Sequence, residues 1–237
     1  MSSHTLIMEA WRKFINESQA SVTEIDGKQI CLYYHSKHPP GFSVVLYIVG
    51  PREDYYTDYQ VIAGIDCVPT DDPCIPKTLQ VGTSYRHSDY TGEGLGPLVY
   101  DLAFFVAQSM GYGLTSDRET GSKEGARDRW SKIEASPNFE KKKTAAGNDE
   151  FDYTNSTPDP DDDCAKDEYE DSNATDHSFI MKDADQIHST LMDLEANHLN
   201  HLENIPEGDM RDEFLMNLRM ESTNLFHDEY DLAEGKK

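Results

Sequence analysis

The sequence predicts an α/β domain, a meander of antiparallel strands with a helix packed against it. An acidic, partly disordered C-terminal extension carrying further helices follows. Three observations lead there. Alternating or β-branched runs at 28–36, 42–49, 59–68 and 79–86 are separated by short polar or proline-containing stretches, as strands of a meander are. A glycine-rich turn and an almost wholly apolar helix pattern then occupy 92–110. Beyond residue 135 the composition becomes polar and acidic, and apolar periodicity returns only near 177.

Charge divides the chain in the same place. Residues 1–135 carry 12 Lys and Arg against 18 Asp and Glu, and residues 136–237 carry 9 against 27, which splits the net charge of −24 into −6 and −18. The expected organisation is a folded domain at 1–135, an acidic low-complexity linker at 136–176 and a helical acidic extension at 177–237. Such a charge argues against direct nucleic-acid binding, because a polyanion is repelled and few cations are available to displace its counterions. It suits a basic protein partner, or mimicry of nucleic acid. Cys31, Cys67, Cys74 and Cys164 form no CxxC pair and read as reduced thiols of a cytoplasmic protein, although Cys67 and Cys74 could meet across Asp71-Asp72-Pro73. No secretion-type apolar run and no membrane-span-length run is visible, so a soluble protein is expected.

The elements follow in order. Leu6, Ile7, Ala10, Trp11, Phe14 and Ile15 share one face of a predicted helix over 5–18. Ile30, Leu32 and Tyr34 alternate in the first strand; Phe42–Val49 is β-branched and aromatic; Gly50-Pro51 turns the chain towards Tyr59–Val68. Leu79–Arg86 is the fourth strand. Pro97–Met110 is a helix with proline in its first turn, where the missing N–H costs nothing, and only Asp101, Gln108 and Ser109 interrupt its apolar surface. A short strand at Leu114–Ser116, a helix at Ser122–Ile133 and order returning at Ser178–Met181 complete the domain pattern. Two last helices carry the stripes Ile187, Leu191, Leu194, Leu202 and Phe214, Leu215, Leu218, Leu225, Phe226, which could dock on the main sheet or on a partner.

The chemistry-bearing stretch is Tyr85 to Leu98. Glycines at 92, 94 and 96 let backbone N–H groups approach an anion without Cβ interference, and the helix that follows adds free donors and a positive dipole end. A pyrophosphate suits that arrangement. The spacing G-x-G-x-G is not the Rossmann G-x-G-x-x-G, and no lysine follows the glycines as in a P-loop.

Ser84-Tyr85-Arg86-His87-Ser88-Asp89-Tyr90-Thr91-Gly92-Glu93-Gly94-Leu95-Gly96-Pro97-Leu98-Val99-Tyr100-Asp101-Leu102-Ala103 resembles motif A of the GNAT-fold acyl-CoA N-acyltransferases, in which a strand leads into Arg/Gln-x-x-Gly-x-Gly/Ala and a helix. Gly94 and Gly96 match the glycine positions; Thr91 stands where Arg or Gln is usual. Gly113 to Arg118, the helix ending near Trp130 and Leu6 to Phe14 are similar to GNAT-like proteins common in bacteriophages, so the resemblance covers roughly residues 1–135. It implies a GNAT-like mixed, mostly antiparallel sheet with helices on both faces, and a phage protein acting in host cytoplasm or associated with the virion. It also implies acetyl-CoA as acyl donor, lying between splayed fourth and fifth strands, with no metal. The donor would contact Tyr85, Arg86, Thr91, Gly92, Glu93, Gly94, Leu95 and Gly96, its pantetheine arm pairing like an added strand and its pyrophosphate on amides from Thr91 to Leu98. An amine, on a small molecule or a protein, would attack the thioester, with a base taking its proton and an acid protonating the thiolate.

Two departures bear on that chemistry. Gln80 stands near the usual place of a glutamate base, and Trp130 at the usual place of a tyrosine acid. Ser84, through a water chain, together with His87 and Asp117, are the substitute catalytic candidates; Asp89 and Tyr112 are further ones. The rival reading is a catalytically inactive GNAT-fold virion component, or a binder of a basic host protein through the acidic surface. Two weaker patterns read as coincidence: acids spaced as in a calcium loop at 159–170, with Cys164 where glycine is required, and His198 and His201 as exposed helix histidines.

Overall fold

The structure is a computed structural model that describes residues 23–36, 39–50, 58–70, 75, 77–116, 124–141, 178–182 and 184–233. The expected helix over 5–18, Asp117, Cys74, Cys164 and the acidic run at 159–170 lie outside them.

The described residues form a mixed α/β structure. The strands are β1 (Glu24–Ile25), β2 (Lys28–Ser36), β3 (Phe42–Val49), β4 (Tyr59–Pro69), β5 (Thr78–Arg86), β6 (Gly113–Thr115), β7 (Phe139–Lys141) and β8 (Phe179–Met181). The helices are α1 (Leu95–Ser109), α2 (Glu124–Ala135), α3 (Asp185–Asn204) and α4 (Asp209–Ala233), with a 3-10 turn at Ser88–Tyr90. The sheet runs β1-β2-β3-β4-β5-β6-β8-β7, and its one parallel neighbour pair is β5 with β6. The meander expected for 28–86 is present, with β2 to β5 each antiparallel to the next.

Two pieces were not foreseen. Asp26 and Gly27, with φ of 52° and 72°, close a two-residue hairpin between β1 and β2. Phe139–Lys141, inside the stretch assigned to linker, pairs with β8, which in turn pairs with β6 through Leu114 and Phe179. The segment from 178 onward is therefore woven into the sheet and its cores, and the apolar stripes of the last two helices dock on it.

Every residue of β3 but the last is buried, which explains its apolar run without clean alternation: each face meets a different core. One core gathers Ile30, Leu32, Val44, Leu46, Ile48 and Ile65 beneath α1, α2 and the first half of α3. The other gathers Cys31, Val45, Tyr47 and Val61 beneath Ile205, Phe214, Leu218 and Phe226. At about 1.5–3 kcal/mol for each large side chain removed from water, Phe214, Leu218 and Phe226 hold α4 in place. α3 crosses the edge of the sheet, where Asn197 Nδ2 donates to the Ile30 carbonyl at 2.8 Å and so occupies an acceptor on β2.

Gly64 is a place where α4 presses on the sheet. A Cβ there would lie 2.9 Å from Phe226 Cζ and 3.1 Å from the Val44 carbonyl oxygen. Gly64→Val is expected to cost about 1–3 kcal/mol in urea denaturation by overpacking that contact; a variant as stable as the wild type would show that α4 does not press on β4 there.

Candidate functional site: the fork between β5 and β6

β5 and β6 pair only through Thr78↔Gly113, Leu79↔Leu114 and Gln80↔Thr115. β6 ends there, while β5 continues to Arg86 and stays paired with β4 on its other side. Six residues of β5, roughly 20 Å at the usual strand rise, thus have no strand against them on the β6 side among the described residues. A backbone edge of that kind is a template for an extended ligand.

A bulge lies two residues beyond the last β5–β6 pair. Asp66 faces Thr83 and Cys67 faces Val81, so Gly82 is the extra residue. The insertion reverses the alternation of β5. Leu79 and Val81 point into the core under α1, and without the bulge Thr83 and Tyr85 would follow. Instead Ser84 faces α1, with its Oγ 3.4 Å from the Tyr100 hydroxyl, and the Tyr85 ring packs against the opposite core.

The turn after β5 is built from short local bonds. His87 N–H donates to the Ile62 carbonyl at 2.8 Å, extending β5 by one residue. His87 Nδ1 accepts from Asp89 N–H at 3.3 Å, and Thr91 Oγ1 donates to the Ser88 carbonyl at 2.7 Å. His87 Nε2 lies 3.0 Å from the Gln60 amide nitrogen, which is a donor, so the ring nitrogens face the Asp89 N–H on one side and the Gln60 amide on the other, and a neutral ring accepts from one of the two. Both ring nitrogens of His87 are thereby placed against partners from the turn and from β4. Gly92 and Gly94 have φ of 96° and 77°, which side chains with a Cβ rarely adopt, and Gly94 caps α1 without any side-chain bond.

The amides expected to hold a diphosphate run from Thr91 to Leu98, but the structure narrows the set. Thr91 N–H goes to the Ser88 carbonyl, Glu93 N–H to Tyr90 and Leu98 N–H to Gly94, and Pro97 has none. Leu95 is fully buried and anchors the loop. The amides of Gly92, Gly94 and Gly96 remain on accessible residues, with no acceptor assigned to them among the described residues. Although the chain has 45 acidic residues, none occupies the first turn of α1, which leaves its positive end uncompensated by carboxylates of its own.

Behind this loop, α2 clamps α1. Arg129 pairs with Asp101 across a short contact, its Nη2 lies 3.5 Å from the Pro97 carbonyl, and its guanidinium stands 6.0 Å from the Tyr100 ring centre. Burial pushes the Asp101 carboxyl upward, and Arg129 opposes that shift. Burial likewise raises the Tyr100 phenol, which keeps its proton at neutral pH. Tyr100 packs edge-on to Trp130 at 5.7 Å.

Of the residues singled out in the sequence, the structure brings Ser84, Arg86 and the three glycines to the open fork. Arg86, Thr91 and Glu93 are exposed beside it. Tyr85 is at the fork by its backbone only. Gln80 sits at the closed end, in the last β5–β6 pair, and Trp130 is a core residue, 2% exposed. Tyr100, Asp101 and Arg129 were missed as site residues. The signal for them was the polar interruption at Asp101 in an otherwise apolar helix, which demanded a partner. The histidine pair on α3 is corrected: His201 is buried and His198 half-buried, both against Tyr47, because the helix docks that face on the sheet. Cys67 is a free, fully buried thiol. Among the described residues no three His, Cys, Asp or Glu side chains converge as a metal site, and no helix is long and apolar enough to cross a membrane.

Comparison with protein-family models, with curated proteins and with solved structures found no match to this chain.

The α1–α2 clamp is open to a double-mutant cycle. Asp101→Asn, Arg129→Met and the double variant should give a coupling of about 1 kcal/mol in denaturation, since both side chains are mostly buried. A coupling near zero would mean that the pair does not tie the helices together.

Proposed function

We propose that the chain is an acyl-CoA N-acyltransferase of GNAT type, moving an acetyl or other acyl group from acyl-CoA to an amine. The observation that carries the reading is the coincidence of two features: a stretch of β5 beyond Gln80 with no strand against it on the β6 side among the described residues, and three glycine amides with a helix dipole at its far end. Together they suit a ligand with an extended, amide-containing arm and a diphosphate. The mixed, mostly antiparallel sheet is the kind the motif resemblance implies.

In this reading the pantetheine arm bonds to the open edge of β5 near Tyr85 and Arg86, and the diphosphate rests on the amides of Gly92, Gly94 and Gly96. The neutral amine attacks the thioester carbonyl; a C–N bond forms, the C–S bond breaks, and the thiolate leaves with the electron pair of that bond. Ser84, with the Tyr100 phenol behind it, lies on the stretch of β5 that the arm would follow; a proton that passes from Tyr100 through Ser84 to the thiolate is replaced by the one the acylated nitrogen sheds, returned through solvent. His87, engaged on both nitrogens, is left with a positioning role for the turn. A chain of net charge −24 attracts a cationic acceptor, such as a polyamine, an aminoglycoside-like compound or a protein lysine.

The second reading is a protein that keeps the fold without catalysis, as a phage virion component or a binder of a basic host protein. It is favoured by Trp130, an indole sealed in the core where the resemblance expects an acid, and by Gln80, an amide where it expects a base.

Calorimetry with acetyl-CoA tests the first reading. Binding of order micromolar is expected, and Gly94→Arg should abolish it by filling the head of α1, while circular dichroism stays that of the wild type. No heat with acetyl-CoA or longer acyl-CoAs would refute it. Binding without acyl transfer to any of the three amine classes would select the second reading.

A further inference from the structure

The second core holds a polar chain that the proposed function does not use. Cys31 on β2 bonds to the Tyr47 hydroxyl on β3, and that hydroxyl lies 2.7 Å from His198 Nδ1 on α3. The imidazole is boxed in by aromatic rings: Tyr33 at 5.9 Å and Tyr47 at 5.8 Å between ring centres. His201, one turn further along α3, lies 5.9 Å from Tyr47 and 5.0 Å from Phe214 of α4. These rings form the seam along which the end of α3 and the body of α4 meet the sheet.

A neutral imidazole satisfies the seam. Tyr47 is fully buried, and burial pushes its phenol up, so it keeps its proton. Its hydroxyl links the Cys31 sulfur to His198 Nδ1, and a neutral imidazole completes that chain in either tautomer. A second proton on His198 leaves a cation among aromatic rings beside another imidazole. The charged and titratable groups facing this seam are few. Cys31, Tyr33 and His35 come from β2, Tyr47 from β3 and Tyr59 from β4. Glu221 and Arg219 come from α4, where Glu221 accepts from the Tyr59 hydroxyl and Arg219 acts on Tyr33. Glu221, the carboxylate at the seam among the described residues, is thus engaged with Tyr59, and an arginine stands nearby.

We propose that His198 and His201 form a proton-operated latch: charging them releases α4 and the last turns of α3 from the β2–β4 face while the core under α1 stays folded. The geometry gives the direction, and burial supports it by lowering His198 to about 4 and lowering His201 as well. For histidines held below their ordinary value the docked state binds fewer protons than the released one. The contact is therefore full above the ordinary value near 6.5 and weakens as pH falls from there towards 4. The latch does not rest on the acyl-CoA reading. Its release would, however, uncover Gly64 and Tyr85, the reverse side of the fork.

Amide hydrogen exchange of the full chain at pH 7.5 and 5.5, corrected for intrinsic rates, tests this. His198 alone should raise the opening constant of α4 about ten-fold between those values, with α1 unchanged. His198→Gln/His201→Gln, which keeps an acceptor for Tyr47 but cannot be charged, should lose that pH dependence. Carboxylate titration elsewhere is common to both proteins and cancels in the comparison. Equal protection of α4 at the two pH values would overturn the latch, as would an equal loss in α1 or a double variant that still responds to pH. If the double variant does not fold, NMR titration of the wild-type imidazoles decides: His198 titrating near 6.5 overturns the proposal, and titrating well below it supports it.

Discussion

Three residue pairs, Thr78–Gly113, Leu79–Leu114 and Gln80–Thr115, are what join β1–β5 to β6–β8. A parallel ladder this short contributes little by itself. What keeps it closed is α1, whose buried side chains Leu98, Val99, Leu102, Ala103 and Phe104 belong to the core that spans both halves of the sheet. The helix and the fork are therefore one construction. The ladder can end at Gln80 because α1 holds the halves together from one face, and the turn that brings α1 back is the glycine loop beyond the end of β5.

The bulge at Gly82 belongs to the same construction. An unbroken β5 would have carried Thr83 and Tyr85 towards α1; the extra residue presents Ser84 to Tyr100 and sends the Tyr85 ring to the opposite core. One inserted residue thus decides which hydroxyl lines the α1 side of the fork and which ring helps to seat α4. It also bends the strand two residues beyond its last pair with β6.

The two cores differ in kind. The one under α1 is aliphatic and aromatic, with Asp101 and Arg129 as a charged pair at its margin. The one under α4 combines a thiol, tyrosines and imidazoles with phenylalanine, and its cohesion depends on where protons sit. Apolar packing tolerates a change of pH, whereas a buried hydrogen-bonded chain that includes an imidazole does not.

Local pattern in the sequence determined the long elements: β2 and β3 at their observed limits, β4 and β5 to within a residue, the apolar α1, and the glycine turn ahead of it. These are written in alternation, β-branching and turn residues, which act over a few positions and need no partner to be read. The Asp26-Gly27 hairpin was equally legible, but β1 is only two residues long and offers no periodicity. Tertiary structure alone decided the rest. β6 and β8 fall where a short strand and returning order were expected, but their pairing with each other, and β7 as a strand at all, come from neighbours that complete three-residue ladders. Asp101 belongs with Arg129, and His198 and His201 are interior, because helices dock on particular faces. The phase of β5 turns on a bulge at Gly82, a glycine that permits the extra residue but whose pairing with β4 alone fixes it there. Contacts between residues far apart in the chain set those outcomes, and a one-dimensional pattern carries the preferences of each segment but not the choice of partner.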